Sequence, residues 1–281
     1  MNLLKARAKR YFVTPYVLLC GATSLHCFSQ MLSTPGFSLS WFAAWLAVTP
    51  VPLFVLLLYW VPFVNAGRFV GIQIVAAMIG AALAVIEMQP LPTFYALMPG
   101  LAGVLVYVYW YSYLDRDDNP RLNVGQPLPA FHVEDGDGTQ VDTASWLGRK
   151  NLLIFFRGSW CPLCRSQLFE LSSYFSALRE QGLHLVLISD QSVADSRKLI
   201  GELPAGVEVY CDRGLQAARV LGLVHPFGVP AGVLVAGPHT TLPSLILIDE
   251  AGTIRYADLP ENFRVGPRPA QLIKVLEQKW L

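Results

Sequence analysis

The chain has 281 residues, a formal net charge of +1 and a hydrophobic content of 53%. This length suits one large domain or two ordinary ones, and the near-neutral charge excludes the strong basic field that nucleic-acid binding needs. The charge is uneven, because only Arg68 and Glu87 are charged between Tyr11 and Leu114. Composition therefore predicts an apolar N-terminal domain followed by a water-soluble one.

Residues 1–114 are predicted to form a transmembrane helical bundle. A helix needs about 20 apolar residues to cross a bilayer. Four stretches reach that length: Tyr11–Met31, Trp41–Val64 with a kink at Thr49-Pro50, Phe69–Met88 and Thr93–Leu114. The basic start MNLLKARAKR is similar to the beginning of a signal peptide, but no small-residue cleavage site follows it. We therefore expect an uncleaved first span and about four spans in total.

Residues 115–123 are predicted to be a linker, and residues 124–281 an α/β domain in which strands and helices alternate. Asn151–Phe156 is a short apolar run, typical of a strand buried on both faces. Cys161–Gln181 has apolar residues at helical spacing. The other predicted elements are strands at His184–Ser189, Val207–Cys211, Ser244–Asp249 and Thr253–Tyr256, helices at Val193–Leu203, Leu215–Leu221 and Pro269–Trp280, and a Gly/Pro-rich insertion at Gly222–Thr241.

The segment Trp160-Cys161-Pro162-Leu163-Cys164 has the C-x-x-C spacing of a redox-active dithiol. A cysteine at a helix N-terminus has a lowered pKa, because unpaired backbone N–H groups and the helix dipole stabilise the thiolate. Cys161 is therefore the expected nucleophile, and Cys164, one turn further along, the expected resolving thiol. Arg157 and Arg165 flank the pair, and each either adds positive potential or is a surface charge.

The C-x-x-C spacing is also that of two zinc ligands. A zinc site needs further ligands, and the sequence offers only Cys211 and His225, whose spacing does not support the assignment. The strand before the motif and the helix after it favour the redox interpretation. No metal and no organic cofactor is predicted.

Three stretches resemble the thioredoxin-like superfamily and, within it, the AhpC/TSA group of peroxiredoxin-like proteins. They are Val124–Phe131 (VGQPLPAF), Phe156–Cys164 (FRGSWCPLC) and Leu242–Asp249 (LPSLILID). The resemblance implies a central sheet flanked by helices. It also implies that Pro243 is a cis-proline facing the C-x-x-C, with the backbone of Leu242 exposed for pairing with a substrate strand. The alternative is an ordinary strand-entry proline.

Two positions depart from the patterns of these families. The peroxiredoxin pattern has a Thr three residues before the peroxidatic cysteine, and this chain has Gly158 at that position. The thioredoxin pattern has a buried Asp six residues before the first cysteine, and this chain has Phe155 at that position. Proton transfer to Cys164 would then need water or another acid such as Glu170.

The function expected from these residues is that of a membrane-anchored thiol-disulfide oxidoreductase. One alternative is a peroxiredoxin-like hydroperoxide reductase, an antioxidant in which Cys161 becomes a sulfenic acid and Cys164 condenses with it. A second is a copper metallochaperone, because soft thiolates hold Cu(I). The expected partners are a protein dithiol or disulfide, or a hydroperoxide, together with an electron donor and the lipid bilayer; no nucleic acid is expected.

The expected location is the bacterial inner membrane. Basic residues precede the first span and follow the fourth, and the loops 32–40 and 89–92 contain none. The positive-inside rule then places both termini and the redox domain in the cytoplasm. The alternative is a periplasmic redox domain. Cys211 is expected to be a buried packing thiol, and Cys20 and Cys27 are assigned no role.

Overall fold

A computed structural model describes residues 3–60, 66–200, 206–234, 237–264 and 274. The N-terminal half is helical, with α1 (Leu3–Ser33), α2 (Leu39–Val48), α3 (Pro50–Trp60), α4 (Ala66–Glu87) and α5 (Pro90–Tyr111). By length and composition alone, α1, α4 and α5 can each cross a membrane, and α2 and α3 can form a fourth span bent by 41°. The bend falls at the predicted kink, where Pro50 begins a new helix.

Small residues allow the bundle helices to pack closely. Gly80 of α4 lies directly against the backbone of Ala43 and Ala47 in α2, where a larger side chain would overlap it. Helix α1 runs antiparallel to α5, since Phe12 near its start contacts Trp110 and His26 near its end contacts Tyr95. The N-terminal end of α1 and the C-terminal end of α5 therefore lie together, where the soluble domain begins.

The C-terminal half is an α/β domain around a seven-stranded sheet of order β2-β1-β5-β4-β3-β8-β9. Its strands are β1 (His132–Glu134), β2 (Gln140–Asp142), β3 (Lys150–Phe155), β4 (Leu183–Ser189), β5 (Val207–Cys211), β8 (Ser244–Ile248) and β9 (Ile254–Asp258), and a separate pair comprises β6 (Val224–His225) and β7 (Thr240–Thr241). Its helices are α6 (Pro162–Ser172), α7 (Phe175–Glu180), α8 (Val193–Ile200) and α9 (Gln216–Leu221). Strands β3, β4 and β5 are parallel, and β8 pairs antiparallel with β3. This arrangement is the expected thioredoxin-like sheet.

Strand β3 lies inside the sheet, between β4 and β8, and is covered on both faces, which explains its continuous apolar sequence. Leu153 and Phe155 point to the face covered by α9, and Leu152 and Ile154 to the face covered by α6 and α7. All four side chains are buried. Burying each contributes roughly 1.5–3 kcal/mol relative to exposure, so β3 is a rigid support for the loop that follows it.

The predicted single helix over Cys161–Gln181 is wrong, because the chain breaks between α6 and α7. The hydroxyl groups of Ser172 and Ser173 donate hydrogen bonds of 2.7 Å to the carbonyls of Phe169 and Glu170. Such side-chain bonds compete with the helical backbone and favour an end.

One further element differs from the prediction, and two predicted helices extend beyond the described residues. The insertion at Gly222–Thr241 contains the short antiparallel pair β6 and β7. The helix expected at Val193–Leu203 is described as far as Ile200. The helix expected at Pro269–Trp280 lies, apart from residue 274, outside the described residues.

The segment expected to be a linker is held by both halves of the chain. Asp115 forms ion pairs with Lys5 at 2.6 Å and Lys9 at 2.5 Å, both at the start of α1. Arg116 donates to the carbonyl of Pro260 at 2.9 Å, in the soluble domain. These contacts hold the α/β domain against the end of the helical bundle.

Candidate redox site

Cys161 lies at the N-terminus of α6, directly after the β3 loop. It is the N-cap residue, with extended backbone angles, and its Sγ accepts a hydrogen bond of 3.4 Å from the backbone N–H of Cys164. Pro162 occupies the first turn, where its fixed φ suits a helix and its missing N–H costs nothing. The local sequence therefore aims the first free N–H groups of an eleven-residue helix at the Cys161 sulfur.

The two thiols have opposite electrostatic environments. A hydrogen bond from the Cys164 thiol, distinct from that of its backbone N–H, lowers the pKa of Cys161 and outweighs burial, which acts in the other direction; the Arg157 charge lowers the pKa further. The same hydrogen bond raises the pKa of Cys164, and burial adds to the effect. All five cysteines of the chain are free thiols in the structure. The pair can therefore hold one thiolate and one thiol.

Arg157 is buried beside the pair and is not a surface charge. Only 4% of the residue is exposed, and its guanidinium group donates a hydrogen bond to the carbonyl of Gly228. The same group lies 5.0 Å from the centre of the Trp160 ring and 5.9 Å from that of Phe263. The aromatic rings thus hold a positive charge at the motif.

The loop between β3 and Cys161 depends on one glycine and one distant glutamine. Gly158 has φ of +126°, and a Cβ there would overlap the Trp160 ring. The Gln191 side-chain oxygen accepts hydrogen bonds from the backbone N–H of Ser159 at 2.7 Å and from its hydroxyl at 3.1 Å. Sequence reasoning missed Gln191, because it belongs to a different loop, after β4.

Pro243 lies near the motif, but its expected conformation is wrong. No cis peptide bond occurs among the described residues, so the Leu242-Pro243 bond is trans. The chain here runs extended from β7 into β8, and the Leu242 N–H donates to the carbonyl of Leu223 at 2.7 Å. That N–H is therefore not available to a substrate strand. Pro243 and Cys164 do line one small cavity together.

The helical bundle covers the dithiol. Cys161 is 5% exposed and Cys164 4%, and both belong to an apolar cluster with Phe54 and Leu58 of α3. Phe263 completes this cover from the soluble domain. No signal in the sequence connects α3 with a motif a hundred residues away.

The other residues considered from sequence lie apart from the dithiol or stay unassigned. Cys211 is buried at the end of β5, and burial raises its pKa to about 11. Glu170 is exposed on α6. Asp190, which the sequence did not suggest, is partly buried after β4, and burial raises its pKa to about 6. Within the described part of the chain, no group of three or more His, Cys, Asp or Glu side chains is placed to hold a metal ion.

Comparison with known proteins gives one family match and several distant relatives. The AhpC/TSA family model matches residues 124–257. The candidate peroxiredoxin bcp of Helicobacter pylori is 27% identical over 100 residues, which is 36% of this chain and 66% of that protein. The thiol:disulfide interchange protein DsbE of Yersinia pestis is 28% identical over 185 residues, 60% of this chain and 86% of that one. Among solved structures, a thiol peroxidase from Chromobacterium violaceum aligns with a TM-score of 0.48 at 19% identity, over 59% of this chain and 90% of that one.

Proposed function

Because residues 124–257 are an AhpC/TSA-family domain with a thioredoxin-like fold, we propose that this enzyme is a membrane-anchored thiol-disulfide oxidoreductase acting through Cys161 and Cys164. The relatives are thiol-redox enzymes of two kinds, peroxiredoxins and thiol-disulfide oxidoreductases. The observation that carries the proposal is the position of the Cys161 sulfur at the start of α6, where it accepts the Cys164 N–H.

The expected reaction has two exchange steps. The Cys161 thiolate attacks one sulfur of a substrate disulfide, which forms a mixed disulfide and releases the first substrate thiolate. Cys164 then loses its proton and attacks the Cys161 sulfur, which forms the Cys161–Cys164 disulfide and releases the second substrate thiolate. Two electrons pass from the dithiol to the substrate, a protein disulfide. The reverse sequence oxidises a protein dithiol.

The roles of the two cysteines predict which variant retains the substrate. Cys164→Ser should accumulate mixed disulfides on Cys161, since nothing resolves them, and Cys161→Ser, the matched control, should accumulate none. Non-reducing electrophoresis of the full chain after alkylation measures both. Equal trapping by the two variants would reverse or remove the assigned roles.

A second candidate function is hydroperoxide reduction, which the AhpC/TSA match and the peroxiredoxin relative favour. Here the Cys161 thiolate attacks the O–O bond, an alcohol leaves and a sulfenic acid forms. Cys164 condenses with it, giving the disulfide and water. Gly158 stands where peroxiredoxins have a Thr, so we expect slow turnover. Consumption of cumene hydroperoxide with dithiothreitol as reductant measures this activity against disulfide exchange.

Membrane anchoring and a cytoplasmic redox domain complete the proposal. Three helices are long and apolar enough to span a membrane. The ion pairs of Lys5 and Lys9 with Asp115 join the start of α1 to the soluble domain, which supports an even number of spans. The basic residues at this same end support a cytoplasmic location.

A single engineered cysteine can test the side of the membrane. Leu147 is 53% exposed in the soluble domain, near the end of β3 that lies away from the C-x-x-C loop, and Phe37 is exposed in the loop between α1 and α2. In a variant that lacks the five native cysteines, Leu147→Cys should react with an impermeant maleimide only after permeabilisation, and Phe37→Cys should react in intact cells. The opposite pattern would place the redox domain outside the cytoplasm.

A further inference from the structure

A cavity of about 300 Å³ lies between the helical bundle and the C-x-x-C loop. This volume is at the lower end of the range for small-molecule pockets. Its walls are largely apolar and include several aromatic side chains. The residues that matter for the argument are Leu18 of α1, Tyr107 and Tyr111 of α5, and Arg157, Trp160 and Cys161 of the motif.

Cys161 forms part of the cavity wall. Only 5% of the residue is exposed in total, the side that faces the cavity included. The disulfide of a folded protein reaches the sulfur only if the bundle moves away from it. A small molecule inside the cavity lies next to Cys161 with the two halves of the chain in place.

Arg157 lines the cavity and places a buried positive charge in its wall. One terminal nitrogen of its guanidinium donates a hydrogen bond to the carbonyl of Gly228. Its Nε, which is buried, has no acceptor among the described residues. A buried donor of a charged group that lacks a partner is costly. A ligand with an acceptor oxygen would remove this cost if the guanidinium turned its Nε–H into the cavity.

The cavity also reaches the apolar outside of the bundle. Leu18 lines it and is 68% exposed, and Leu19 and Leu25 are exposed on the same helix. If α1 spans a membrane, as proposed above, this opening faces lipid. The ligand that enters here is therefore lipid-soluble.

We infer that this cavity binds a lipid-soluble quinone that exchanges electrons with the Cys161–Cys164 pair. A quinone combines the features that the site selects: an apolar body, a flat ring for the aromatic walls, and carbonyl oxygens that suit the positive charge of Arg157. This inference rests on the proposed dithiol function and names its membrane partner.

The reaction balances without another reactant. A sulfur–sulfur bond forms between Cys161 and Cys164, and their two electrons reduce the quinone ring. The Cys164 thiol supplies one proton and water the other, because Cys161 reacts as the thiolate. Both protons end on the carbonyl oxygens, and the product is the hydroquinone.

The test uses the full-length protein in lipid nanodiscs, reduced and free of excess reductant, with decylubiquinone as probe under anaerobic conditions. Quinone absorbance and the Cys161–Cys164 disulfide are followed together. We expect one quinone reduced per disulfide formed. Leu18→Trp should fill the mouth and slow the reaction at least about tenfold, which corresponds to ~1.4 kcal/mol.

Leu19→Trp is the matched control, since Leu19 is also exposed, at 54%, but does not line the cavity. It should react like the wild type. Arg157→Gln should raise the KM for the quinone about tenfold or more through loss of the charged donor. Equal Tm values for the two Trp variants would show that both are folded.

Several results would overturn the inference. One is quinone reduction at the same rate in Leu18→Trp and wild type, and another is no quinone reduction at all. A third is oxidation by cumene hydroperoxide alone in a Leu18-dependent manner, which would make a hydroperoxide the occupant. Insulin reduction by the same protein reports separately on the proposed function. Insulin reduction without quinone reduction would leave that function standing and reject the quinone.

Discussion

Cys161 and Cys211 are both buried cysteines of the α/β domain, with 5% and 7% of the residue exposed. Cys161 begins a helix, and Cys211 ends strand β5. Burial raises the pKa of Cys211 to about 11, whereas the hydrogen bond from the Cys164 thiol, with Arg157, lowers that of Cys161 despite burial. Local donors and charge, and not burial, therefore distinguish a reactive thiol from a packing thiol in this fold.

Removing each sulfur gives the largest expected contrast. Cys161→Ser should reduce disulfide exchange by a factor on the order of 10³ or more, as expected when a nucleophile is lost. Cys211→Ser should leave the rate unchanged. Insulin reduction with dithiothreitol measures both. Comparable losses in the two variants would show that Cys211 takes part in the chemistry.

The charges beside the two cysteines provide the next contrast. Arg157→Gln should raise the pKa of Cys161, because a positive charge that favours the thiolate is gone, and should lower the exchange rate at pH 7 by roughly tenfold. The rate should recover as the pH rises. Arg213, the cation next to Cys211, is the control, and Arg213→Gln should preserve the pH–rate profile. An unshifted profile in Arg157→Gln would contradict the role given to its charge.

The sequence was sufficient where the information is local. The apolar run of β3, the hairpin of β8 and β9 and the helix start at Cys161 all follow from neighbouring residues, and the structure has them. The break after Ser172 was missed, although the adjacent serines were a usable signal. Gln191, the α3 cover over Cys161 and the trans bond at Pro243 depend on contacts between distant segments, which one sequence does not reveal.

An added methyl group should destabilise the protein more in the loop before Cys161 than in an ordinary turn. Gly158 and Gly138 both have positive φ, but only at Gly158 would a Cβ meet other atoms within 4 Å. Gly158→Ala should therefore lower the free energy of unfolding by about 1–3 kcal/mol, and Gly138→Ala by less. Thermal unfolding of the full chain in detergent measures the difference. Equal losses would mean that the Trp160 contact is unimportant.

The smallest expected effect concerns the ion pairs that hold the α/β domain against the helical bundle. Asp115→Asn removes the charge that pairs with Lys5 and Lys9, and partly exposed pairs contribute about 0.2–1 kcal/mol. The bundle covers Cys161, so weaker contact between the two halves should raise the rate at which a bulky maleimide alkylates it, by less than about fivefold. The alkylation rate of Cys211, which the bundle does not cover, should stay the same. A parallel rise at both cysteines would indicate general loosening of the domain.

The pH dependence of alkylation at Cys161 and Cys211, measured in one sample of the full-length protein, tests the central claim most directly. Iodoacetamide reacts with the thiolate, so the midpoint of each rate profile reports the pKa and is independent of how slowly a buried sulfur is reached. Mass spectrometry separates the two sites. The account predicts a midpoint for Cys161 well below the free-thiol value of about 8.5 and a midpoint for Cys211 above it. A Cys161 midpoint at or above the free-thiol value would contradict its assignment as the nucleophile.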